Sequence, residues 1–256
     1  MKGISAMIIC KNEERRIGDC LRSLDFCDEI VVVDSGSTDR TLDIVNEFPV
    51  RLFHREFKSW NDQKDFGRAQ TTREWVLNID ADEVVSPKLR DELLQIAQNA
   101  TPTSISGAKM PFRTHFRGRW VKTCGYYPDF HIRFIRKEDA FWDREAVHDR
   151  VVVNGSIQTL SGHVEHHSFE SVHDFIQKSC MYANAFAIRS HKAGKRSGLL
   201  SMAIRPLFRF TKAYIFQRGF TQGALGFMIA ALQAYEVFQK YLRLWERNTF
   251  GAPESD

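Results

Sequence analysis

Apolar runs of strand length alternate with predicted helices along the first hundred residues. The predicted strands are 4–10, 30–33, 51–54 and 75–79, and the second of them consists only of Ile and Val. Helices are predicted between them at 13–24, from a cap at Ser37 or Thr38 to about residue 48, and at 61–74. This alternation predicts an α/β domain with a parallel, doubly wound sheet, and ligands are expected at the carboxyl ends of its strands.

The pattern changes in the remainder of the chain. Ser86 is expected to cap a helix that begins at Pro87. Three further runs, 109–116, 130–136 and 147–153, are separated by Gly, Pro and Asp turns, which predicts an antiparallel part. From residue 171 to about 247 the pattern is helical, with breaks at 194–198 and 219–223. The predicted fold is therefore a mostly parallel sheet, followed by a small antiparallel part and a helical C-terminal region.

Composition favours a cytoplasmic location. The chain has 256 residues, and its 5 cysteines are an odd number without the spacing of a zinc knuckle or a redox pair. The N-terminal apolar run is too short for a signal peptide, and the run 223–235 is too short for a membrane span, which needs about 20 residues. Net charge is +4, but Lys and Arg are concentrated in 189–218, so an anionic surface or substrate is expected there.

Acidic residues follow the apolar strand 75–79 directly. Asp80, Asp82 and Glu83 come within four positions, where like charges repel one another unless a cation or hydrogen-bond donors offset them. Carboxylate oxygens suit Mg²⁺ or Mn²⁺, which also bind substrate phosphates. The alternative is that Asp82 and Glu83 only begin the loop before Ser86.

A second acid ends a neighbouring strand and narrows the choice of ligand. Asp34 follows the run 30–33, where its carboxylate could hydrogen-bond a base or a ribose. Neither a G-x-G-x-x-G turn after the first strand nor a G-x-x-x-x-G-K-[ST] loop is present, so dinucleotide redox and P-loop chemistry are not indicated. Two strands that end in acids favour a nucleotide-diphosphate cleft.

Three motifs carry a family resemblance. They are Ile8-Ile9-Cys10-Lys11-Asn12-Glu13-Glu14, Val32-Val33-Asp34-Ser35-Gly36-Ser37-Thr38-Asp39 and Asn78-Ile79-Asp80-Ala81-Asp82-Glu83. In order and spacing the chain resembles family 2 inverting glycosyltransferases, and most of all bacterial lipopolysaccharide core β-1,4-glucosyltransferases that act on inner-core heptose. The resemblance implies a GT-A fold, a UDP-sugar donor, a lipid-linked saccharide acceptor and Mg²⁺ or Mn²⁺.

The resemblance also assigns roles to residues and to parts of the chain. Uracil and ribose would be held by the first two motifs, through Cys10, Lys11, Asn12, Glu13, Asp34, Ser35 and Gly36. Lys64 would approach the nucleotide or diphosphate, Asp80 the ribose or the metal shell, and Asp82 the metal itself. The expected division is 1–100 for the donor, 101–168 for the acceptor and 169–256 as a helical region that could associate with a membrane.

Two candidates for the remaining chemistry lie in the middle of the chain. Asp149 stands where the family commonly has Glu after His, and it is our candidate general base, with Glu145 and Asp143 as alternatives. The shorter Asp side chain reduces the reach by one methylene. His166 matches a family histidine that could contact the diphosphate or complete the metal shell, although a structural histidine is an equal alternative.

The basic and aromatic segment 205–218 allows two interpretations. It could lie on an anionic bilayer or pack its Phe residues against the catalytic domain. The sequence-based hypothesis is a transferase, peripheral on the cytoplasmic face of the inner membrane, that moves a hexose to the inner core of lipopolysaccharide. The alternatives are transfer to polyprenyl phosphate or another surface-polysaccharide precursor, and a non-catalytic nucleotide-sugar-binding protein. Nucleic acid is not expected, since an acidic cleft repels it.

Overall fold

The computed structural model of the chain describes residues 2–99, 105–143 and 151–251. The strands are β1 (Ile4–Cys10), β2 (Glu29–Asp34), β3 (Arg51–His54), β4 (Trp75–Asp80), β5 (Glu83–Val85), β6 (Gly107–Phe116), β7 (Arg119–Trp120), β8 (Asp129–Arg136), β9 (Ala140–Trp142), β10 (Val151–Val153), β11 (Ile157–Thr159) and β12 (Val164–Phe169). The α-helices are α1 (Ile17–Arg22), α2 (Thr41–Val45), α3 (Trp60–Gln70), α4 (Pro87–Asn99), α5 (Val172–Lys192), α6 (Leu199–Thr211) and α7 (Gly223–Phe250).

One large mixed sheet runs in the order β3-β2-β1-β4-β8-β6-β12-β5, with β7 and β11 paired to β6. The strands β3, β2, β1 and β4 are parallel, whereas β8 returns antiparallel beside β4. The strands β9 and β10 form a small antiparallel sheet. The predicted α/β class is confirmed, with parallel strands followed by an antiparallel part and a helical C-terminal region. The carboxyl ends of β1, β2 and β4 lie at one edge of the sheet.

Two compact units make up the chain. The first consists of Met1–Arg113 and Asp129–His166, and the second of Thr114–Pro128 and His167–Asp256. The division into 1–100, 101–168 and 169–256 stays a prediction.

The core of the first unit lies around the parallel strands. Every residue of β1 is buried, because helices cover both faces of this part of the sheet. The helix α3 approaches β1 closely at Gly67, where a Cβ atom would lie 2.6 Å from the sulfur of Met7. At the other side of the core, the rings of Trp75 and Phe134 stack at 4.7 Å. These contacts pack the middle of β1 and the start of β4 into the core.

The second unit is mainly helical. Its helix α7 packs against both α5 and α6, and a smaller apolar core combines residues of the β7 region with residues of the helices, including Val121, Cys124, Ala213 and Ile229. Between α6 and α7 the chain forms a π-helical turn, Lys212–Phe216, and a 3₁₀ turn, Gly219–Gln222. Among the described residues, no helix combines the length and the apolar composition that a membrane span requires.

The cap of α2 differs from the sequence prediction. We expected Ser37 or Thr38 to cap this helix, but it begins at Thr41, whose N–H donates to the carboxylate of Asp39. The hydroxyl of Ser37 donates to Asp34 instead. The prediction was wrong because a buried carboxylate competes for the serine more strongly than a helix end does.

Candidate active site

Asp34 ends β2 and organises the loop that follows it. Its carboxylate accepts hydrogen bonds from the N–H of Gly36 at 2.9 Å and from the N–H and the hydroxyl of Ser37. His54, at the end of β3, lies 3.4 Å away. Burial alone would raise the pKa of Asp34, but the hydrogen bonds from Ser37 and Gly36 outweigh it and hold the pKa below its ordinary value. An ionised carboxylate is therefore built into this strand end.

The turn after β1 is joined to the same loop. Asn12 has a φ of 57°, a left-handed conformation that Asn tolerates better than most residues. Its N–H donates to the hydroxyl of Ser37 at 2.9 Å, and its side-chain oxygen accepts from the N–H of Thr38 at 2.8 Å. The N–H of Glu13 donates to the hydroxyl of Thr41. These bonds bring the first two sequence motifs together as one rigid surface.

The remaining predicted donor-binding residues flank this surface. The thiol of Cys10 lies 3.8 Å from Asp34, and burial, followed by this neighbouring carboxylate, raises the pKa of the thiol. Lys11 is exposed. The hydroxyl of Ser35 accepts from the amide of Gln63, a buried residue in the first turns of α3. The sequence-predicted residues of β1, β2 and their loops thus form one group.

The helix α3 carries a buried lysine to the end of β4. The hydroxyl of Ser59 caps the helix by accepting from the N–H of Asp62. One turn further on, the side chain of Lys64 is 3% exposed, and its Nζ lies 3.3 Å from Oδ1 of Asp80. A buried ammonium group is stable only beside an anion, so this pair fixes both residues.

An arginine on the antiparallel strand β8 completes the pairing of Asp80. One terminal nitrogen of Arg133 lies 2.9 Å from Oδ2 of Asp80 and 2.9 Å from Oε1 of Glu83. The second oxygen of Glu83 accepts from the backbone N–H of Asp80 at 2.8 Å. Burial would raise the pKa of Asp80, but Arg133 and Lys64 hold it well below its ordinary value. Glu83, which is fully buried, has a raised pKa because burial outweighs the arginine.

Asp82, Glu83 and His166 form a cluster beside this network. One ligand atom from each lies within 4.8 Å of the others, and Nε2 of His166 lies 3.5 Å from Oδ2 of Asp82. Burial would lower the pKa of His166, but the hydrogen bond to Asp82 and the neighbouring acids raise it.

The cluster fits a divalent cation. Carboxylate oxygens and an imidazole nitrogen are the ligands that Mn²⁺ accepts, and Mg²⁺ would use the oxygens. Both oxygens of Glu83 are hydrogen-bonded already, by Arg133 and by the N–H of Asp80. The side chains of Asp82 and His166 are 17% and 30% exposed, so a cation could reach them from solvent. The arrangement favours Asp82 and His166 over Asp80 as protein ligands, although Asp80 stays a predicted one.

The strand β12 places His166 next to Asp82 because the turn that precedes the strand is hydrogen-bonded to the start and the middle of α4. The N–H of His163 donates to the hydroxyl of Ser86, and the carboxylate of Glu92 accepts from the N–H groups of Ser161 and Gly162. The strand then pairs with β5, with His166 opposite Glu83. Two segments more than 70 residues apart in sequence thus form one cluster.

Phe112 lies among the basic side chains of this part of the sheet. Its ring meets the rings of His131 and His166 edge to face, at 4.9 and 6.1 Å, and the guanidinium of Arg133 lies 5.2 Å from its centre. His131 also pairs with Asp129 at 2.9 Å. These contacts fix the side chains that border the cluster of Asp82, Glu83 and His166.

The acids proposed as the base lie close together in sequence after β9. Asp149 and its alternative Glu145 lie outside the described residues, whereas Asp143 follows β9 and is half-buried. Sequence analysis gave no role to Arg133 and did not separate Glu83 from the other acids. The signal for Arg133 was a permanently charged residue in the run 130–135, whose other residues are apolar except for His131.

Two solved structures resemble the chain at the level of fold. TarS of S. aureus (residues 1–349), crystallised with UDP-GlcNAc, is 16% identical, with a TM-score of 0.47 over 99% of this chain and 93% of that one. Glucosyl-3-phosphoglycerate synthase of Mycobacterium tuberculosis, crystallised with Mn²⁺, UDP and glucosyl-3-phosphoglycerate, is 17% identical, with a TM-score of 0.49 over 77% and 82% of the two chains.

Sequence relatives give a more specific comparison. A lipopolysaccharide core biosynthesis glycosyltransferase, LpsC of Rhizobium meliloti, is 30% identical over 97% of this chain and 94% of its own length. An uncharacterised glycosyltransferase of Rickettsia typhi is also 30% identical, over 96% of this chain and 88% of its own. The family model described as "Glycosyl transferase family 2" matches residues 5–158, which contain all three acidic and turn motifs. The chain belongs to glycosyl transferase family 2.

Proposed function

We propose that the chain is an inverting transferase that moves a hexose, glucose in our assignment, from a UDP-sugar to the inner core of lipopolysaccharide. The observation that carries the proposal is the 30% identity to a lipopolysaccharide core glycosyltransferase along nearly the full length of both chains. The charges of the site support it, because a group of ordered donors and acids at the ends of β1, β2 and β4 suits a nucleoside diphosphate.

The donor would bind along these strand ends. The ionised carboxylate of Asp34 and the side chain of Asn12, both held by the loop after β2, would accept hydrogen bonds from ribose and uracil. Lys64 and Arg133 already pair with Asp80. Their positive charges would also attract the negatively charged diphosphate of the donor. We assign two roles to Asp80: it would contact the ribose, and it would hold Lys64 and Arg133 in position.

Asp82 and His166 would hold Mg²⁺ or Mn²⁺, and Asp80 would support them as an outer neighbour. A bound divalent cation would act as a Lewis acid and stabilise the charge that develops on the departing diphosphate. Glu83 is less suited to bind the metal, since it is fully buried and its two oxygens already accept from Arg133 and from the N–H of Asp80.

Inversion requires a base on the other side of the sugar. The acceptor hydroxyl oxygen bonds to the anomeric carbon as the bond from that carbon to UDP breaks, and the hydroxyl proton passes to a carboxylate. We assign the proton to Asp149 on the basis of its sequence position. The acceptor, a lipid-linked saccharide, would be met at the cytoplasmic face of the inner membrane.

The test is a direct transfer assay. The purified chain is incubated with Mg²⁺ or Mn²⁺, a panel of UDP-sugars and truncated lipopolysaccharide acceptors, and the products are identified by mass. We expect one hexose added from UDP-glucose to an inner-core acceptor. Transfer only to polyprenyl phosphate would show that this lipid, and not lipopolysaccharide, is the acceptor. Binding of UDP without transfer from any nucleotide sugar would contradict the proposal.

Asp149→Asn tests the base separately. We expect kcat to fall by at least about a hundredfold, because general-base assistance contributes that much or more, while UDP-sugar binding measured by calorimetry is kept. Asp143→Asn, which alters a nearby acid, is the matched control and should retain most of the activity. Equal loss in both variants, or full activity in Asp149→Asn, would contradict the assignment.

A further inference from the structure

The helix α6 exposes a continuous apolar stripe. Leu200, Ile204, Leu207 and Phe208 follow the spacing i, i+4, i+7 and i+8, which places them on one face of the helix. They are 74%, 57%, 66% and 65% exposed, respectively. Large apolar side chains at such exposure normally mark a surface that another molecule or a membrane covers.

The exposed apolar surface continues beyond the end of α6. In the π-helical turn, Ile215 and Phe216 are 51% and 75% exposed, and Phe220 in the following 3₁₀ turn is 52% exposed. On the other flank of the same turns, Phe210 and Tyr214 pack against Phe227 of α7. Phe210 and Tyr214 are thus partly buried, whereas Ile215, Phe216 and Phe220 are exposed.

The segment that carries this surface has charged residues of one sign only. Between Asp174 and Glu236 the chain contains no Asp or Glu, but it contains nine Lys or Arg, five before α6 and four from Arg205 to Arg218. Lys212 and Arg218 are exposed, and Arg205 lies over the ring of Tyr241 at 4.7 Å. An apolar stripe flanked by cations matches the outer part of an anionic bilayer, where acyl chains lie beneath phosphate groups.

A second copy of the chain is a poorer match for the same surface. A two-fold contact through α6 would bring the same cations together from both copies, and like charges at an interface oppose association. A bilayer does not require a shaped partner, and it takes up separate apolar side chains along one helix.

We propose that the outer face of α6 and the turns after it dock this chain on an anionic phospholipid bilayer, with the α6 stripe inserted among the headgroups. The biological purpose rests on the proposed lipid-linked acceptor, since docking would bring the transferase to the membrane that holds such an acceptor. The physical association itself requires only the apolar stripe and the cations.

A basic depression in the same unit adds to the proposed surface. It is lined by Arg119, Trp120, Lys122, Thr221, Gln222 and Leu225, and two of these residues follow the exposed Phe220 directly. The side-chain oxygen of Gln222 accepts from the N–H groups of Lys122 and Thr123, so the loop that carries the two cations is held in place. Its cations and Trp side chain suit the phosphate level of a bilayer.

The test is co-sedimentation of the full chain with vesicles. We expect binding to vesicles of phosphatidylcholine with 30% phosphatidylglycerol, and at least about tenfold weaker binding to pure phosphatidylcholine, because each cation near an anionic surface contributes about a factor of five. High salt should weaken the association by screening. Equal binding to both vesicle types at all salt concentrations would overturn the electrostatic part of the proposal.

A double variant tests the stripe. Ile204→Asp with Phe208→Asp should bind anionic vesicles about a hundredfold more weakly, at about tenfold for each apolar side chain withdrawn from the bilayer. Met181→Asp on α5, where the native side chain is also 65% exposed, is the matched control and should bind like the native chain. Circular dichroism and thermal unfolding check that each variant is folded. Unchanged binding of the folded double variant would overturn the proposal.

Two further measurements separate the rival explanations. If the native chain is a dimer by analytical ultracentrifugation, the double variant is a monomer and neither binds vesicles, the stripe is an interface between copies and the proposal is wrong. The double variant should transfer sugar to a deacylated, soluble core oligosaccharide at the native rate. Vesicle binding without any transfer by the native chain would leave the docking surface standing and would refute the proposed function instead.

Discussion

Arg133 is the residue on which the acidic strand end depends most. It lies 2.9 Å from oxygens of both Asp80 and Glu83, and its side chain is only 11% exposed. Lys64 balances one further charge, so the site contains two permanent cations for three neighbouring acids. Burial raises the pKa of Glu83, and the neighbouring carboxylates of Asp80 and Asp82 add to the rise. The charge balance of the motif therefore comes from residues on α3 and β8 rather than from the motif itself.

Arg133→Met should destabilise the chain by about 3 kcal/mol near pH 8, because removal of one partner leaves buried carboxylates uncompensated. The loss should be smaller at pH 5, where protonation of Glu83 removes one of the charges. Chemical denaturation at both pH values measures it. Arg113→Met, which breaks a half-exposed pair with Glu165 at 3.4 Å, is the control and should cost about 1 kcal/mol or less. A loss independent of pH would show that the arginine acts through packing alone.

Asp34 contributes to the stability of the fold, and the direction of its pKa shift gives the sign of the pH dependence. Its pKa in the folded chain lies below the ordinary value of about 3.9 that applies when the chain is unfolded. The ionised carboxylate therefore stabilises the fold fully above about pH 4, and this contribution is lost as the pH falls through the lower, folded pKa.

Asp34→Asn should lower the free energy of unfolding by about 2 kcal/mol at pH 7, since hydrogen bonds to a charged acceptor are replaced by weaker ones. The difference from the native chain should stay constant down to about pH 5 and shrink towards pH 3. Urea unfolding across this range measures it. Asp43→Asn alters an exposed acid on α2 and should have no comparable effect. A difference that grew towards acid pH would contradict the assigned direction.

At the level of elements, the position of His166 depends on the contact between β12 and α4. A Cβ atom at Gly162 would lie 2.4 Å from the backbone Cα and N of Leu89, closer than atoms can approach. Backbone atoms cannot rotate away as the end of a side chain can. The two segments can therefore meet at this distance only with glycine at position 162.

Gly162→Ala should cost about 2 kcal/mol of stability through overpacking, and it should also weaken Mn²⁺ binding because β12 shifts with respect to Asp82. Thermal unfolding and a Mn²⁺ titration measure the two effects. Gly18→Ala in α1 is the control, since a Cβ at that position would make only ordinary contacts at 3.5 Å. If stability were lost while Mn²⁺ affinity stayed unchanged, the contact at Gly162 would not be what positions His166 for the metal.

Local signals predicted the elements better than the contacts between them. The Ile and Val run of β2, the Ser86-Pro87 start of α4 and the acid after β4 are all visible within a few residues of sequence. The pairing of Arg133 with Asp80 joins positions 53 apart, and no local pattern reports it. The wrong cap at Ser37 has the same origin, because the competing acceptor Asp34 could be recognised only once its burial was known.

At the level of the whole molecule, different chemistry is concentrated in the two units. The first unit contains the loop of Asp34, the network around Asp80 and the cluster of Asp82 with His166. The second unit contains the acid-free stretch between Asp174 and Glu236, with the exposed stripe of α6. Substitutions can therefore test the proposed donor site and the proposed docking surface independently.

Ligand binding should appear as a change in the stability of the molecule. UDP with Mn²⁺ should raise the Tm by roughly 5 °C at a hundredfold excess over Kd, because a ligand that binds only the folded state adds about 2.7 kcal/mol there. Either ligand alone should give a smaller shift. In Asp82→Asn the increment that Mn²⁺ adds to UDP should disappear while the shift with UDP alone remains, since the carboxylate is the proposed metal ligand. Asp91→Asn, at an exposed acid of α4, should behave like the native chain. If Mn²⁺ still added its full increment to the Tm shift in Asp82→Asn, the metal would have to be bound by other residues.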